Sequence, residues 1–430
     1  MKKVLILCYD FPPLPSIGAQ RPSSFFRHLP KYGFYPVVIT RKWKNNITNH
    51  NEYFEADEGK EEMTQNNSST LIRLPEKQSF KNKLITRHGI NNYVLLRRAI
   101  SLTEVFFKWL FAAADDKYYI CKRANEYLQK NEVDFILATG EPFILFKYAY
   151  SLSKEFGIPI VLDYRDGWTT NHTLNSSPIN ALRLKLESIF EKRYLKHALI
   201  YSSVSDGVIN EIERTYQIPA TKKFLLKNGA ETDEFISVVK KNDTTFNLVY
   251  AGTLYDSSPV VQLLEGIENF INKSKPENYS ITFIGIRLKP CKHKVIIEKF
   301  KEKHPTQVKI IDSMAHAQLA HYLVNASVLL LLLMKSQKKG IIGGKTYEYA
   351  ATRNPILVVQ EERTEETPFF QGRDIQTFAF TADEVAEKIE SYYKKFQQGI
   401  SIQTSITDEE IFSISREYQV KLLAEKLNSL

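Results

Sequence analysis

The sequence predicts an α/β protein made of two doubly wound domains. Its 430 residues exceed what one hydrophobic core usually serves. Short apolar runs alternate with helical patterns through the whole chain, which is typical of parallel sheets covered by helices. The alternation starts again at Phe246, after the polar segment 237–245. We therefore expect one domain over residues 1–236, a second over 237–406, and a last helix within 407–430 that packs back on the first.

In the first half, each expected strand is a short apolar run bounded by turn residues. These runs are 3–7, 35–40, 71–74, 134–138, 160–162, 198–202 and 223–226. Four prolines between Tyr9 and Pro22 predict an irregular loop, so the first helix is expected over 23–32. Further helices are expected to end at Phe156 and to cover 181–196 and 206–216. The polar segment 45–70 predicts a mobile surface loop.

In the second half, strands are expected over 246–251, 281–285, 308–311, 328–334 and 356–359. Helices are expected over 259–271, 292–303 and 316–324, and after the glycines at 343 and 344. Two capping-box patterns, at 381–384 and 407–410, predict a helix to about Gln397 and a last helix through Leu427.

Composition excludes several classes of protein. With 43% hydrophobic and 25% charged residues, the chain is an ordinary globular protein. No apolar run approaches the ~20 residues of a membrane span, and three widely spaced cysteines favour a reducing compartment. The net charge of +9 suggests an anionic partner, but no nucleic-acid-binding signature accompanies it. No D-x-D pair is present at 163–166, so no metal is predicted.

Residues 77–123 are unusually basic, with ten Lys or Arg against three acids among interleaved apolar residues. This pattern predicts helices that are apolar on one side and basic on the other. Docking on an anionic membrane and packing on the neighbouring sheet both explain the apolar side, and the sequence leaves the two open.

Ionisable residues follow two expected strands of the first half. Glu141 comes after 134–138, and Asp163, Arg165 and Asp166 lie in D-Y-R-D-G-W after 160–162. Ligands of open α/β sheets bind beyond the carboxyl ends of the strands, so these four side chains are candidate site residues.

The stretch 340–359 carries the strongest signal in the second half. Gly343 and Gly344 lead from a buried strand into a helix that holds Lys345, Tyr347 and Glu348. The start of such a helix attracts anions, and Lys345 adds a full positive charge there. These residues alone are equally consistent with a tight turn followed by a solvated lysine that binds nothing.

These motifs together resemble bacterial two-domain glycosyltransferases of the GT-B type, near the large retaining family 4. The resemblance covers most of the chain. It rests on F-P-P-x-x-x-x-G-A-x-R at 11–21, D-Y-R-D-G-W at 163–168, Y-A-G-T-L at 250–254 and G-K-T-Y-E-Y-A-A-T-R-N-P-I-L at 344–357. It implies two Rossmann-like domains that face each other across a cleft.

The resemblance also implies roles for single residues. Glu348 would bind the ribose of a nucleotide sugar, and Lys345 would face its diphosphate. Asp163, Arg165 and Asp166 would lie at the donor sugar and would be catalytic residues together with Lys345. Glu141 would lie on the acceptor side. The remaining donor-binding candidates are Gly18, Arg21, Asn228, Gly252, Thr253, Arg287 and Tyr347. The chain departs from the family at Gly340, which replaces the first of two glutamates, and at Thr253 and Ser258, which replace basic residues.

The implied activity is transfer of a sugar from a nucleoside-diphosphate sugar to an acceptor hydroxyl in bacterial surface polysaccharide synthesis, with the anomeric configuration retained. The donor is a substrate, and no resident cofactor is expected. The acceptor would be a glycan or a lipid-linked glycan, handled in the cytoplasm at the inner face of the cell membrane. A nucleotide-sugar epimerase on the same fold and a non-catalytic nucleotide-sugar-binding protein are the alternatives.

Overall fold

The computed structural model describes residues 1–14, 16–44, 57, 59–76, 80–89, 92–97, 100, 109, 115–170, 178–241, 244–286, 291–333, 342–362 and 375–430. These residues form two compact units. The first consists of Met1–Lys227 with Gln419–Leu430, and the second of Asn228–Tyr418.

The first unit is built on a sheet that has eight strands among the described residues. The strands are β1 (Lys2–Leu7), β2 (Phe34–Arg41), β3 (Glu62–Gln65), β4 (Thr70–Leu74), β5 (Phe135–Gly140), β6 (Ile160–Tyr164), β7 (Ile200–Ser203) and β8 (Lys223–Leu225). Their order is β3-β4-β2-β1-β5-β6-β7-β8, and all neighbours are parallel except β3 and β4. The strand order reverses between β1 and β5, where doubly wound sheets bind ligands.

Helices connect these parallel strands. They are α1 (Ile17–His28), α2 (Phe80–His88), α3 (Tyr118–Leu128), α4 (Ile144–Phe156), α5 (Pro178–His197) and α6 (Asp206–Tyr216). Strand residues such as Val4, Ile6, Leu137 and Val161 are fully buried, because a parallel sheet is covered on both faces.

The second unit has a six-stranded parallel sheet over its described residues. The strands are β9 (Phe246–Ala251), β10 (Tyr279–Ile284), β11 (Val308–Ile311), β12 (Val328–Leu332), β13 (Ile356–Val359) and β14 (Gln376–Ala379), in the order β11-β10-β9-β12-β13-β14. The helices of this unit are α7 (Asp233–Ile236), α8 (Val260–Ser274), α9 (His293–Lys303), α10 (His316–Val324), α11 (Gly344–Ala351), α12 (Ala382–Gln397) and α13 (Asp408–Ser413). The last helix, α14 (Arg416–Asn428), begins in this unit and belongs to the first unit from Gln419 onward. Here the order reverses between β9 and β12, next to the start of α11.

The boundary between the units differs from the sequence expectation of 236/237. Residues from Asn228 onward belong to the second unit, because Ala230 and Phe235 are buried in its core. The expected return of 407–430 to the first unit holds only for Gln419–Leu430. Val420 and Leu427 pack in the first core, whereas Ile411 and Ile414 pack in the second.

Three local expectations were also wrong. The first helix starts at Ile17 rather than at 23, because the Ser16 side chain accepts a hydrogen bond from the Gly18 amide, and the helix continues through Pro22. Glu62–Gln65, expected in a loop, is a strand that pairs antiparallel with β4. β14 was not expected. The remainder of the expected loop, 45–56 and 58, lies outside the described residues.

No helix within the described ranges has the length and apolar character that crossing a membrane requires.

Candidate functional site

In the first unit, Arg165, which follows β6, contacts the segments that follow β1 and β5 through hydrogen bonds and an ion pair. Its Nε donates to the Gly140 carbonyl and its Nη2 to the Glu141 carbonyl, each at 2.5 Å. Its Nη1 lies 3.5 Å from the Asp10 Oδ2. Asp166, the next residue, is exposed, and so is Glu141. The reversal point of the first sheet is therefore lined by three carboxylates around one guanidinium.

Two of these carboxylates, Glu141 and Asp10, have a pKa above the ordinary value. Although Glu141 is exposed, partial desolvation of its carboxyl group raises its pKa, and the negative charges of Asp166 and Asp10 raise the pKa further, against the lowering effect of Arg165. Burial also raises the pKa of Asp10, although Arg165 opposes it. Such a group can exchange hydrogen bonds with the hydroxyls of a polar substrate.

Gly18 lies against this guanidinium. A Cβ at this position would lie 2.2 Å from the Arg165 Nη1 and 2.5 Å from the Asp10 Oδ2. The glycine therefore makes room for the protein's own ion pair. The predicted approach of a phosphate to Gly18 stays a prediction.

Arg21 and Asp163, both expected to contact the donor, form a buried pair inside the first unit. The Arg21 Nε and Nη2 donate to the two Asp163 oxygens at 2.8 and 2.7 Å. Arg21 also donates to the Leu226 and Lys227 carbonyls, while Asp163 accepts from Thr139 and Ser202. Asp163 is 0% exposed and Arg21 is 4% exposed. The pair is thus engaged within the fold, which differs from the predicted contacts with phosphate and sugar.

The charge state of this pair follows from its contacts. Burial alone would raise the pKa of Asp163. The charge of Arg21 and the hydrogen bonds from Arg21, Ser202 and Thr139 outweigh burial and lower the pKa below its ordinary value. The pair joins α1 to the ends of β5, β6, β7 and β8, and so it fixes the strand ends that carry Glu141 and Arg165.

In the second unit, the Lys345 side chain packs against Gly252, which follows the end of β9. Gly252 has a φ of +117°, and a Cβ there would lie 2.3 Å from the Lys345 Cε. Gly285, at the end of β10, brings its backbone close to Gly252. The two glycines therefore bring the ends of β9 and β10 close together beside the Lys345 side chain, next to the point where the order of the second sheet reverses.

Lys345 is the second residue of α11, after the N-cap Gly343. Its Nζ donates to the Tyr250 hydroxyl at 3.3 Å and lies 4.8 Å from the centre of the Tyr250 ring. Burial lowers the pKa of Lys345 to about 8, although Glu348 raises it in part. The first amides of a helix have no intrahelical partner, so the start of α11 and the ammonium together favour an anion.

Glu348 lies one turn further along α11 and is held by a histidine from α10. The His316 Nε2 lies 3.1 Å from the Glu348 Oε1, and the His316 Nδ1 is hydrogen-bonded to Glu234. Glu348 is 7% exposed. Asn228 is near the same helix start, because its amide donates to the Ile342 carbonyl at 3.4 Å.

Two other predicted donor residues of this unit, Tyr347 and Thr253, lie in its described part. Tyr347 is 3% exposed and packs in the apolar core. The backbone carbonyl of Thr253 accepts from the Tyr250 hydroxyl at 3.0 Å. Arg287 and Gly340 lie outside the described residues. Over the described part of the chain, no group of three or more His, Cys, Asp or Glu side chains has an arrangement that could hold a metal ion, and the absence of a metal stays a prediction.

Sequence reasoning missed Asp10, Glu234, Tyr250 and His316. Tyr250 had a signal, since it directly precedes the A-G-T-L turn. Asp10 also follows a strand end. His316 and Glu234 are 82 residues apart and share no motif, so only the fold could bring them together.

No protein-family description matches the chain, and no curated protein matches it. Solved structures do match it over its whole length. Sucrose-phosphate synthase from Thermosynechococcus elongatus is 12% identical, with a TM-score of 0.63 over 98% of its own chain. Trehalose-6-phosphate synthase OtsA is 10% identical, with a TM-score of 0.60 over 99% of its chain. Anabaena HepE in complex with UDP-glucose is 12% identical, with a TM-score of 0.58 over 100% of its chain.

At such low identity these likenesses establish the fold. Together with the two mainly parallel sheets, of eight and six strands among the described residues, they assign the chain to the GT-B fold of two Rossmann-like domains, which confirms the predicted fold class.

Proposed function

We propose that this protein is a glycosyltransferase that moves a sugar from a nucleoside-diphosphate sugar to an acceptor hydroxyl. One observation carries the proposal: Lys345 and Glu348 lie one turn apart at the start of α11, beside the glycine turn that ends β9. A helix start with a lysine suits a diphosphate, and a carboxylate one turn away suits the paired hydroxyls of a ribose. The similarity to HepE, whose structure contains UDP-glucose, supports this choice of ligand.

The chemistry asks for a cation at this position. As the bond between sugar and diphosphate breaks, negative charge grows on the diphosphate. Fixed donors aimed at that charge lower the barrier, and this is usually the largest single effect in catalysis. A hydrogen bond to a charged group contributes ~1.5–3 kcal/mol. Loss of the Lys345 ammonium should therefore reduce kcat/KM by roughly ten- to a hundredfold.

Donor binding is tested first by calorimetry. UDP, GDP and ADP are titrated into the wild-type protein, followed by nucleotide sugars of the base that binds. Lys345→Met and Glu348→Gln should each weaken binding at least tenfold. Lys299→Met and Glu387→Gln replace exposed residues of the same unit and serve as matched controls, for which we expect wild-type affinity. Equal affinity in all five proteins would refute the proposed site.

Turnover separates this proposal from its two alternatives. Donor labelled in the sugar is incubated with and without a mixture of glycan acceptors. Label that moves to an acceptor supports a transferase. A labelled sugar whose configuration changes in the absence of an acceptor indicates an epimerase. Tight binding with no turnover across the acceptor panel indicates a nucleotide-sugar-binding protein.

We place the acceptor at the carboxylate cluster of the first unit. Glu141 and Asp166 are exposed, and the raised pKa of Glu141 suits a group that exchanges hydrogen bonds with a sugar hydroxyl. Glu141→Gln should raise the KM for the acceptor and leave the KM for the donor unchanged. The reverse result would remove the assignment.

We further propose that the acceptor is a lipid-linked glycan of a bacterial surface polysaccharide and that residues 77–123 contact the inner face of the cell membrane. An exposed apolar run supports this proposal: Tyr93, Leu95 and Leu96 are 52%, 80% and 46% exposed. Arg87 and Arg97 lie at either side of the run in sequence, and each basic residue near an anionic surface contributes ~1 kcal/mol of attraction.

Vesicle sedimentation tests this contact. The protein should sediment with phosphatidylserine vesicles at low salt and far less with phosphatidylcholine vesicles. Leu95→Glu should abolish sedimentation, whereas Leu182→Glu, another exposed leucine of the first unit, should not. Equal sedimentation of the two variants would refute a specific contact.

Retention of configuration is proposed from the resemblance alone and is read directly from the anomeric proton signals of the product.

A further inference from the structure

His316 lies between two carboxylates of the second unit. Its Nδ1 is hydrogen-bonded to Glu234, and its Nε2 to the Glu348 Oε1 at 3.1 Å. An ionised carboxylate accepts hydrogen bonds and donates none, so each ring nitrogen has to carry a proton. The geometry is that of a doubly protonated imidazolium held between two anions.

Two features of the site, the start of a helix and burial, disfavour a positive charge on His316. His316 is the first residue of α10, after the N-cap Ala315. The amino end of a helix carries partial positive charge, so a cation there is disfavoured. Burial further disfavours the charged ring, yet Glu234 and Glu348 together raise the pKa of His316 to about 10. The two carboxylates thus dominate the local field.

The surroundings of the ring come from three elements. α7 supplies Glu234 and also Phe235, whose ring meets the imidazole edge-on at 5.7 Å. α11 supplies Glu348 and, one turn earlier, Lys345. α10 supplies His316 itself. A single side chain therefore links the helix that carries the proposed ribose ligand to the segment that precedes β9.

We propose that His316 is a positioning residue that fixes the Glu348 carboxylate, ionised and in one orientation, for the ribose hydroxyls of the donor. The role rests on the proposed function of Glu348 as a ribose ligand. The Glu348 side chain is only 10% exposed, and burial disfavours a charged carboxylate, so a cation in direct contact stabilises the ionised form. Without the imidazolium, the carboxylate would take up a proton more readily or turn away. Either change would weaken its bonds to ribose.

Ribose recognition can be isolated from diphosphate binding. Calorimetry compares UDP with 2′,3′-dideoxy-UDP, or the GDP or ADP pair if that base binds instead. The ratio of the two dissociation constants reports the hydroxyl contacts and cancels effects of pH on Lys345. We expect a ratio of about ten for the wild type at pH 7 and below about two for Glu348→Gln. His316→Gln should also fall below about two, and Glu234→Gln should lie between.

Two further readouts exclude a merely structural effect. The wild-type ratio should fall as the pH rises through about 10, and His316→Gln should lack this step. His316→Gln should change nothing further in the Glu348→Gln background, since both remove the same contact. Circular dichroism verifies folding, and Glu234→Gln, which keeps the histidine, serves if His316→Gln does not fold.

The outcomes separate this inference from the proposed function. A ratio near ten in Glu348→Gln would show that Glu348 does not bind ribose, and both proposals for this residue would fall. A ratio below two in Glu348→Gln, together with ten in both His316→Gln and Glu234→Gln, would leave the ribose ligand in place and overturn the role of His316.

Discussion

Replacing Lys345 with methionine should make the free protein more stable while it slows transfer. Methionine keeps the apolar stem of lysine and removes a charge that is held at a cost. The pKa of Lys345 falls from 10.5 to about 8, which corresponds to at most about 3 kcal/mol of destabilisation at pH 7. The side chain is only partly buried, so solvent screening reduces the expected gain to about 1–2 kcal/mol.

The dependence on pH follows from the direction of the shift. A lysine with a lowered pKa in the folded state destabilises that state fully below about pH 8. The effect fades as the pH rises and disappears above about 10.5, where both states are neutral. The gain from Lys345→Met should therefore be largest at pH 7 and small at pH 10.5.

Calorimetric unfolding of the two proteins at both pH values measures this gain. For a unit of this size, 1 kcal/mol shifts the Tm by roughly 2–4 °C, so we expect a rise of about 2–8 °C at pH 7. Lys299→Met, at an exposed position, should move the Tm very little. A lower Tm for Lys345→Met at pH 7, or an equal gain at pH 10.5, would refute the reasoning.

Three other perturbations follow from single contacts. Asp163→Asn leaves the buried Arg21 without its anion and should lower the free energy of unfolding by about 3–5 kcal/mol in urea denaturation. Gly252→Ala should cost about 1–3 kcal/mol through its positive φ and, by displacing the neighbouring ammonium, should also reduce diphosphate affinity. The wild type should lose stability relative to His316→Gln between about pH 6.5 and 10, by up to about 1.4 kcal/mol per pH unit, because a raised pKa stabilises the fold only while the folded state holds the extra proton.

Each of these has an outcome that contradicts it. Unchanged urea midpoints for Asp163→Asn would mean that the buried pair contributes little. Gly399 also has a positive φ, of +65°, and nothing lies within 4 Å of an added Cβ, so Gly399→Ala strains the backbone without displacing a neighbour. Equal diphosphate affinity in the Gly252 and Gly399 variants would remove the steric argument. Parallel stability curves for wild type and His316→Gln would mean that the imidazole is neutral at pH 7.

Patterns within one element were readable from the sequence. The apolar run before the two glycines predicted β12. Gly343 and Gly344 predicted the start of a helix, with Lys345 in its first turn. Both follow from local rules, since a buried strand needs apolar residues and a sharp turn needs glycine. The positions of Lys345 and Glu348 on one short helix were fixed in the same way.

Pairs between distant elements were not readable. Arg21 and Asp163 are 142 residues apart, and each looked like a free site residue until the fold paired them. His316 carried no motif at all. The unit boundary was misplaced at 236 because a polar segment looked like a linker, whereas burial of Ala230 and Phe235 decides it. Burial and long-range pairing depend on tertiary structure, which local patterns do not specify.

The path of the chain affects how the protein can be divided. The second unit is one continuous segment, while the first is completed by Val420, Leu423 and Leu427 from the opposite end of the described chain. During synthesis, residues 228–418 can fold before α14, which completes the core of the first unit, has been made. We expect a fragment of 228–418 to give cooperative unfolding by itself. A fragment of 1–227 should expose the apolar surface that these three side chains cover, and it should aggregate unless a peptide of 416–430 is added.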